Sequence, residues 1–276
     1  MTETNKTLTD VPWLDRPDAI EQIAAKRAKG ELTDREATIL ESYSRDGFVN
    51  LGRLVEPEHC REMRDDVSAF LKAHIHLPQH EWLDQLQNRY IHNDACRRAT
   101  LLPSLIRWCD LVLGTRALPF QTLSLPEGTQ ILPHTDQILM STQPMGYLVV
   151  AWLALEDIHP DAGPLTLWKG SHRLPYVRPL DLGIAPGTPR PVAEKLHNEH
   201  YYSAIQRVID ASNCEPFVYL PKEGEVLLWH SNVVHRGALR VSPTRTRHSL
   251  VIHYFGEGSL AFSDLFSEPC VLPGLR

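Results

Sequence analysis

Near Leu118 the periodicity of this chain changes, and that change bounds its fold more tightly than any other feature. Before it, apolar residues recur at helical spacing. Thr33-Asp34-Arg35-Glu36 is a capping box, because the Thr33 hydroxyl and the Glu36 carboxylate can each satisfy an orphan amide. It predicts a helix to about Asp46, stopped by Gly47, and Phe48 to Leu51 then reads as a short strand. Pro57 suits a first helical position, and Cys60, Met63, Val67 and Leu71 follow at helical spacing up to Lys72. A further helical stretch covers about Leu102 to Leu113. After it come short β-rich runs: Leu118–Leu125, Gln130–His134, Tyr147–Leu155, Leu165–Trp168, Phe217–Leu220, Glu225–Trp229 and Ser249–Phe255. Many short strands with Gly/Pro turns predict a sandwich or barrel, and helices followed by strands make the chain α+β.

Residues 173–216 interrupt the strands. This stretch is Pro-rich at first and then helical from about Asn198 to Ala211. A long insertion in a β scaffold serves either as a lid over a binding site or as a packing appendage, and the sequence leaves both open. With 276 residues and no clean linker, residues 1–276 are expected to form one domain. A net charge of −6 with scattered Lys and Arg argues against a nucleic-acid surface. No apolar run is long enough to span a bilayer, Thr2 to Asp10 shows no signal pattern, and five cysteines form no C-x-x-C. These features predict a cytoplasmic protein with reduced thiols.

His134-Thr135-Asp136 carries the chemistry. In a strand, positions i and i+2 project to one face, so His134 and Asp136 can hold one ion together. A third ligand from a distant strand, His235 or His230, completes a two-His-one-carboxylate set that leaves the far side of the ion open, the pattern of non-haem Fe(II) oxygenases. His74-Ile75-His76 with His80 is a competing motif that could hold zinc, but residues of a surface or substrate loop account for it better.

Together these motifs resemble the phytanoyl-CoA dioxygenase (PhyH) family of Fe(II)/2-oxoglutarate-dependent oxygenases. The resemblance runs from Thr33 to Phe255. It includes Asp46-Gly47-Phe48, Glu56-Pro57-Glu58, the His134/Asp136 pair, Gly163-Pro164-Leu165, Gly170-Ser171-His172, Gly224-Glu225-Val226, His235 and Arg247. Two departures stand out: Lys169 replaces the usual Pro before Gly-Ser-His, and His235-Arg236-Gly237 replaces His-Gly-Ser.

The resemblance implies a double-stranded β-helix (jelly roll) with N-terminal helices packed on one sheet. It implies His134, Asp136 and His235 as ligands of Fe(II), with 2-oxoglutarate as cosubstrate and O2 as oxidant. Arg247 becomes the partner of the far carboxylate of 2-oxoglutarate, because guanidinium offers a bidentate fork that stays charged. Arg245 is its rival. Ser249 shares the strand face of Arg247, and Trp152 and Gln121 complete the cosubstrate set, with a plain core role equally open for Trp152. His172 is expected to order a loop and His253 to sit in the core or a channel.

The resemblance further implies hydroxylation or another C–H oxidation, with release of succinate and CO2, because members of the family that halogenate have Gly or Ala where this chain has Asp136. The acidic charge argues against an acyl-CoA and for a small polar metabolite or natural-product intermediate as the partner. Tyr90, His92, Gln137, Lys169 and Arg178 are candidates to touch it, since polar or basic groups there flank the metal motifs. The oligomeric state is open. A cupin-like binder without oxidative chemistry is the alternative, and it has no use for Arg247. A Ser171-His172 hydrolase fails, because adjacent strand residues point opposite ways.

Overall fold

The computed structural model describes residues 8–78 and 81–265. Eight helices appear among them: α1 (Ala19–Ala28), α2 (Asp34–Asp46), α3 (Pro57–His74), α4 (Leu83–Gln87), α5 (Arg89–His92), α6 (Asp94–Thr100), α7 (Pro103–Leu113) and α8 (Arg190–Asp210). The capping box forms at the start of α2, with Glu36 N–H donating to Thr33 Oγ1 at 3.2 Å and Thr33 N–H donating to Glu36 Oε2 at 2.8 Å. Gly47 ends that helix at φ 81°, a left-handed conformation that glycine adopts freely; a Cβ there would also collide with the His172 imidazole.

The strands are β1 (Phe48–Arg53), β2 (Ala117–Leu125), β3 (Ser141–Gln143), β4 (Leu148–Ala154), β5 (Leu165–Trp168), β6 (Pro216–Tyr219), β7 (Glu225–His230), β8 (His235–Gly237), β9 (Ser249–Gly256) and β10 (Leu260–Phe262). Antiparallel pairing orders five of them as β1-β7-β4-β9-β2, faced by a smaller sheet β6-β5-β8, with β10 and β3 forming a separate pair.

Every residue of β4 is buried, because helices cover one face of the large sheet and the small sheet covers the other. Its near-continuous apolar run reflects that two-sided burial. On the outer face Val149, Ala151 and Leu153 meet Leu40 of α2, Met63 of α3 and Leu105 of α7. On the inner face Val150 and Trp152 meet Leu165, Leu167 and Tyr219. Burying each of the Val, Leu and Met side chains among these contributes about 1.5–3 kcal/mol. This is the expected α+β jelly-roll arrangement, with the N-terminal helices on one sheet.

Two local expectations are corrected. Residues 130–134 form no strand; the segment is irregular and pairs only through a bridge from His134 to His235. Pro133 has no amide to give to a ladder, and the N–H groups of Asp136 and Gln137 both turn to the Ser231 carbonyl, at 3.1 and 3.2 Å, which winds Asp136–Ile138 into a 3-10 turn. The insertion helix begins at Arg190, eight residues before Asn198, because Pro191 lies in its first turn, where a missing N–H costs nothing.

Cys60, Cys96 and Cys109 are buried free thiols, and Cys270 lies outside the described residues. Burial pushes the Cys60 and Cys96 thiols up to about 12. No helix among the described residues is long and apolar enough to cross a membrane.

Candidate metal centre and cosubstrate pocket

His134, Asp136 and His235 each present one donor atom, and these atoms all lie within 4.8 Å of one another. His134 and Asp136 come from the loop and turn before β3, and His235 opens β8. The bridge between His134 and His235 fixes their spacing, with reciprocal backbone bonds of 2.9 Å. Each ring is oriented by its own chain. His134 Nδ1 lies 2.9 Å from the Leu132 carbonyl and His235 Nδ1 lies 3.0 Å from the Val233 carbonyl. A ring nitrogen facing a carbonyl must donate, so both Nε2 atoms are left with lone pairs for a metal.

The carboxylate is divided in the same way. Trp229 Nε1 donates to Asp136 Oδ2 at 2.9 Å, while Oδ1 lies 3.7 Å from His235 Nε2. Burial alone would raise the Asp136 carboxyl, but the His235, His253 and His134 imidazoles and the Trp229 bond outweigh it and hold it below the usual carboxylate range. Burial, aided by His235, pushes His134 down to about 4. Two imidazole Nε2 atoms whose Nδ1 partners face carbonyls, beside one carboxylate, are the donor set that suits Fe(II).

Arg247 is buried, whereas Arg245 is exposed. Arg247 Nη1 donates to the Gly163 carbonyl at 2.6 Å, and Nε has no partner. No carboxylate pairs with this guanidinium among the described residues, and burial lowers its pKa to about 10, which leaves it charged at neutral pH. A buried cation without an anion calls for one from outside. The chain is shaped around it: Gly128, at φ 68°, runs where any Cβ would strike the guanidinium, and a Cβ on Gly237 would lie 3.1 Å from Nη1. Gly237 shares a face of β8 with His235, two residues or roughly 7 Å away. The unmatched cation and the metal-competent cluster therefore open on the same interior. Ser249, the first residue of β9 and two positions after Arg247, is buried with its hydroxyl unpartnered.

The other expected residues fall as follows. Trp152 is in the inner core, edge-on to Tyr219 with ring centroids 5.9 Å apart. Gln121 is half-buried on β2 opposite His253, whose Nδ1 has no partner. His230 is turned away from the metal cluster: Nε2 faces Asp15 Oδ2 at 3.2 Å and Nδ1 accepts from Asn232 N–H at 3.0 Å. Ser171 Oγ donates to the Trp168 carbonyl and accepts from Val234 N–H at 2.9 Å, and His172 Nε2 lies 3.2 Å from the Ser44 carbonyl. The Gly-Ser-His turn thus steadies the loop that delivers His235.

Of the substrate candidates, Gln137 is buried and accepts from Ser231 Oγ at 3.1 Å, with its amide nitrogen unpartnered. Tyr90 packs on the helical core, His92 is exposed, Lys169 lies over the Phe217 ring and Arg178 pairs with Asp264. His74 stacks on Phe70 and bonds its carbonyl, while His80 lies outside the described residues. Trp229 and the Gly163 carbonyl were not anticipated as site groups. The alternation that puts Trp229 on the inner face of β7 was readable, but its reach to Asp136 was not.

The profile of the family described as phytanoyl-CoA dioxygenase (PhyH) matches residues 43–249, well over half of the chain. The chain belongs to the phytanoyl-CoA dioxygenase family. A zebrafish (Danio rerio) relative, phytanoyl-CoA dioxygenase domain-containing protein 1, is 24% identical over 80% of this chain and 72% of its own length. The cattle (Bos taurus) protein of the same name is 27% identical over 51% of this chain and 45% of its own. Among solved structures, the non-haem alpha-ketoglutarate-dependent carbocyclase SnoK from nogalamycin biosynthesis aligns with a TM-score of 0.60 at 14% identity, covering 85% of this chain and 88% of its own. EctD from S. alaskensis with bound Fe aligns at 0.58 and 16% identity, covering 82% and 77%. At those identities the structures establish the shared fold.

Proposed function

We propose that this family member is an Fe(II)- and 2-oxoglutarate-dependent oxygenase that hydroxylates, or otherwise oxidises, a C–H bond of a small polar metabolite or natural-product intermediate. Succinate and CO2 are the co-products. The observation that carries the reading is the buried Arg247 guanidinium, which lacks a carboxylate among the described residues and faces the interior that holds the His134/Asp136/His235 cluster. A protein that only bound a metal would have no reason to bury an unmatched cation there.

When bound, the iron and 2-oxoglutarate supply the oxidative chemistry, coupling decarboxylation of the cosubstrate to reduction of O2. His134, Asp136 and His235 would hold the metal from one side. Arg247 would take the distal carboxylate of the cosubstrate through its fork, with the Ser249 hydroxyl beside it. Trp229 keeps one oxygen of Asp136 occupied, so that Oδ1 is the oxygen offered to the metal. Trp229, which bonds Asp136, belongs to the inner apolar cluster with Trp152 and Val251, and that face would limit water at the reacting centre. For the substrate class, support comes from the acidic net charge and from neighbours of the same fold that act in nogalamycin biosynthesis.

Succinate formation tests this. Protein supplied with Fe(II), 2-oxoglutarate, ascorbate and air should convert 2-oxoglutarate slowly to succinate even without primary substrate, and Asp136→Ala should abolish it. Equal succinate from the two proteins would overturn the reading.

A further inference from the structure

Thr135, between two candidate ligands, takes its backbone partner from the insertion and not from a neighbouring strand. Tyr201 of α8 accepts a hydrogen bond from Thr135 N–H at 2.9 Å and donates to the Thr135 carbonyl at 3.1 Å, with the Thr135 hydroxyl a further 3.2 Å away. The two residues are 66 positions apart and both are buried. One phenol thus satisfies both backbone polar groups of the residue that separates His134 from Asp136.

The packing around this contact has the same direction. Tyr201, Ala204 and Ile205 of α8 form one apolar cluster with Ile138, two residues after Asp136, and with Val234, immediately before His235. His197, one turn earlier on α8, stacks on the Tyr201 ring with centroids 4.7 Å apart and planes 18° apart, which fixes the ring. All three candidate ligands therefore sit in segments that the insertion touches.

We propose that Tyr201 is a positioning residue for the metal centre, and that α8 is a fixed wall of the site whose packing sets the separation of His134 and Asp136. The inference rests on the proposed metal site, but it concerns how the chain shapes that site and holds for any divalent ion bound there. The phenol stands in for a strand partner at Thr135, between the bridge that His134 makes to His235 and the bond of Asp136 N–H to Ser231. Its loss would leave Thr135 N–H and C=O unpaired in a dry environment, and the ligand loop would relax to find other partners.

The test compares wild type with Tyr201→Phe, using Co(II) as an air-stable spectroscopic probe and Tyr202→Phe as a neighbouring control. Tyr201→Phe keeps the ring and the apolar packing. It should lower Co(II) affinity by about tenfold or more, the usual effect of losing a group that orients ligands, and alter the visible Co(II) spectrum. In the metal-free protein, the Thr135 amide should exchange faster with solvent than in wild type. Tyr202→Phe should leave all three readouts in place. Equal Co(II) affinity and equal Thr135 protection in Tyr201→Phe would overturn the proposal while leaving the oxygenase reading intact. Co(II) binding that depends on Tyr201, without succinate formation by the wild type, would support the proposal and remove the oxygenase reading. Failure of the wild type to bind Co(II) at all would overturn both.

Discussion

Trp229 and Asp136 are joined by an indole N–H that donates to one carboxylate oxygen at 2.9 Å, while the other oxygen faces His235. The bond fixes which oxygen a metal would meet and helps keep the carboxylate ionised in a buried place. Trp229→Phe retains the apolar ring and removes only the donor. We predict a loss of metal affinity of roughly 10–100-fold with little change in fold, measured by anaerobic Fe(II) titration. Unchanged affinity would show that the bond is incidental to the site.

Arg247 and Arg245 separate by environment, one buried without a carboxylate among the described residues and the other exposed. Arg247→Leu should raise the 2-oxoglutarate concentration required for turnover by two orders of magnitude or so, in line with loss of a buried charged hydrogen-bonded pair worth about 3 kcal/mol, and leave the iron requirement nearly unchanged. Arg245→Leu should behave as wild type. Steady-state titration of both variants decides it, and an equal effect of Arg245→Leu would reverse the assignment.

Gly128 passes beside the Arg247 guanidinium at a positive φ of 68°. Gly128→Ala should therefore cost about 1–3 kcal/mol of stability and also displace the guanidinium, weakening 2-oxoglutarate binding. Thermal unfolding together with equilibrium binding checks both effects. A variant that is destabilised but binds the cosubstrate normally would place the strain outside the pocket.

Much of this architecture was legible along the chain, and the parts that were not share one cause. The capping box at Thr33, the stop at Gly47 and the apolar run of β4 are local signals, and the structure follows them. The segment 130–134 misled because its β-rich composition is local, whereas its partners are not: Tyr201 from the insertion holds the adjoining Thr135, and Ser231 receives the next two amides. Arg247 could be set above Arg245 only through the family pattern, since burial is a tertiary property. Trp229 carries no sequence mark of the carboxylate it reaches from 93 positions away.

Acid stability should depend on histidines kept neutral by the fold. Burial, with His230 adding to it, pushes His172 down to about 3, and burial pushes His253 down to about 4. Unfolded, both would bind protons near pH 6.5, so the unfolded chain takes up more protons below that point and stability falls with pH from about 6.5 to about 4. The loss at pH 5 is on the order of 2 kcal/mol per histidine. Urea denaturation of metal-free protein at pH 7.5 and 5 measures it, and His172→Gln should flatten the slope. A stability unchanged across that range would contradict the burial argument.

We propose that the His134/Asp136/His235 cluster and Arg247 together hold iron and 2-oxoglutarate. Adding Fe(II) and then 2-oxoglutarate to purified protein without oxygen tests it most directly, by the visible charge-transfer band of a chelated keto acid. We predict that the band appears with wild type, is absent with His235→Ala, and requires far more 2-oxoglutarate with Arg247→Leu. Iron that binds at this cluster without producing the band would contradict the claim.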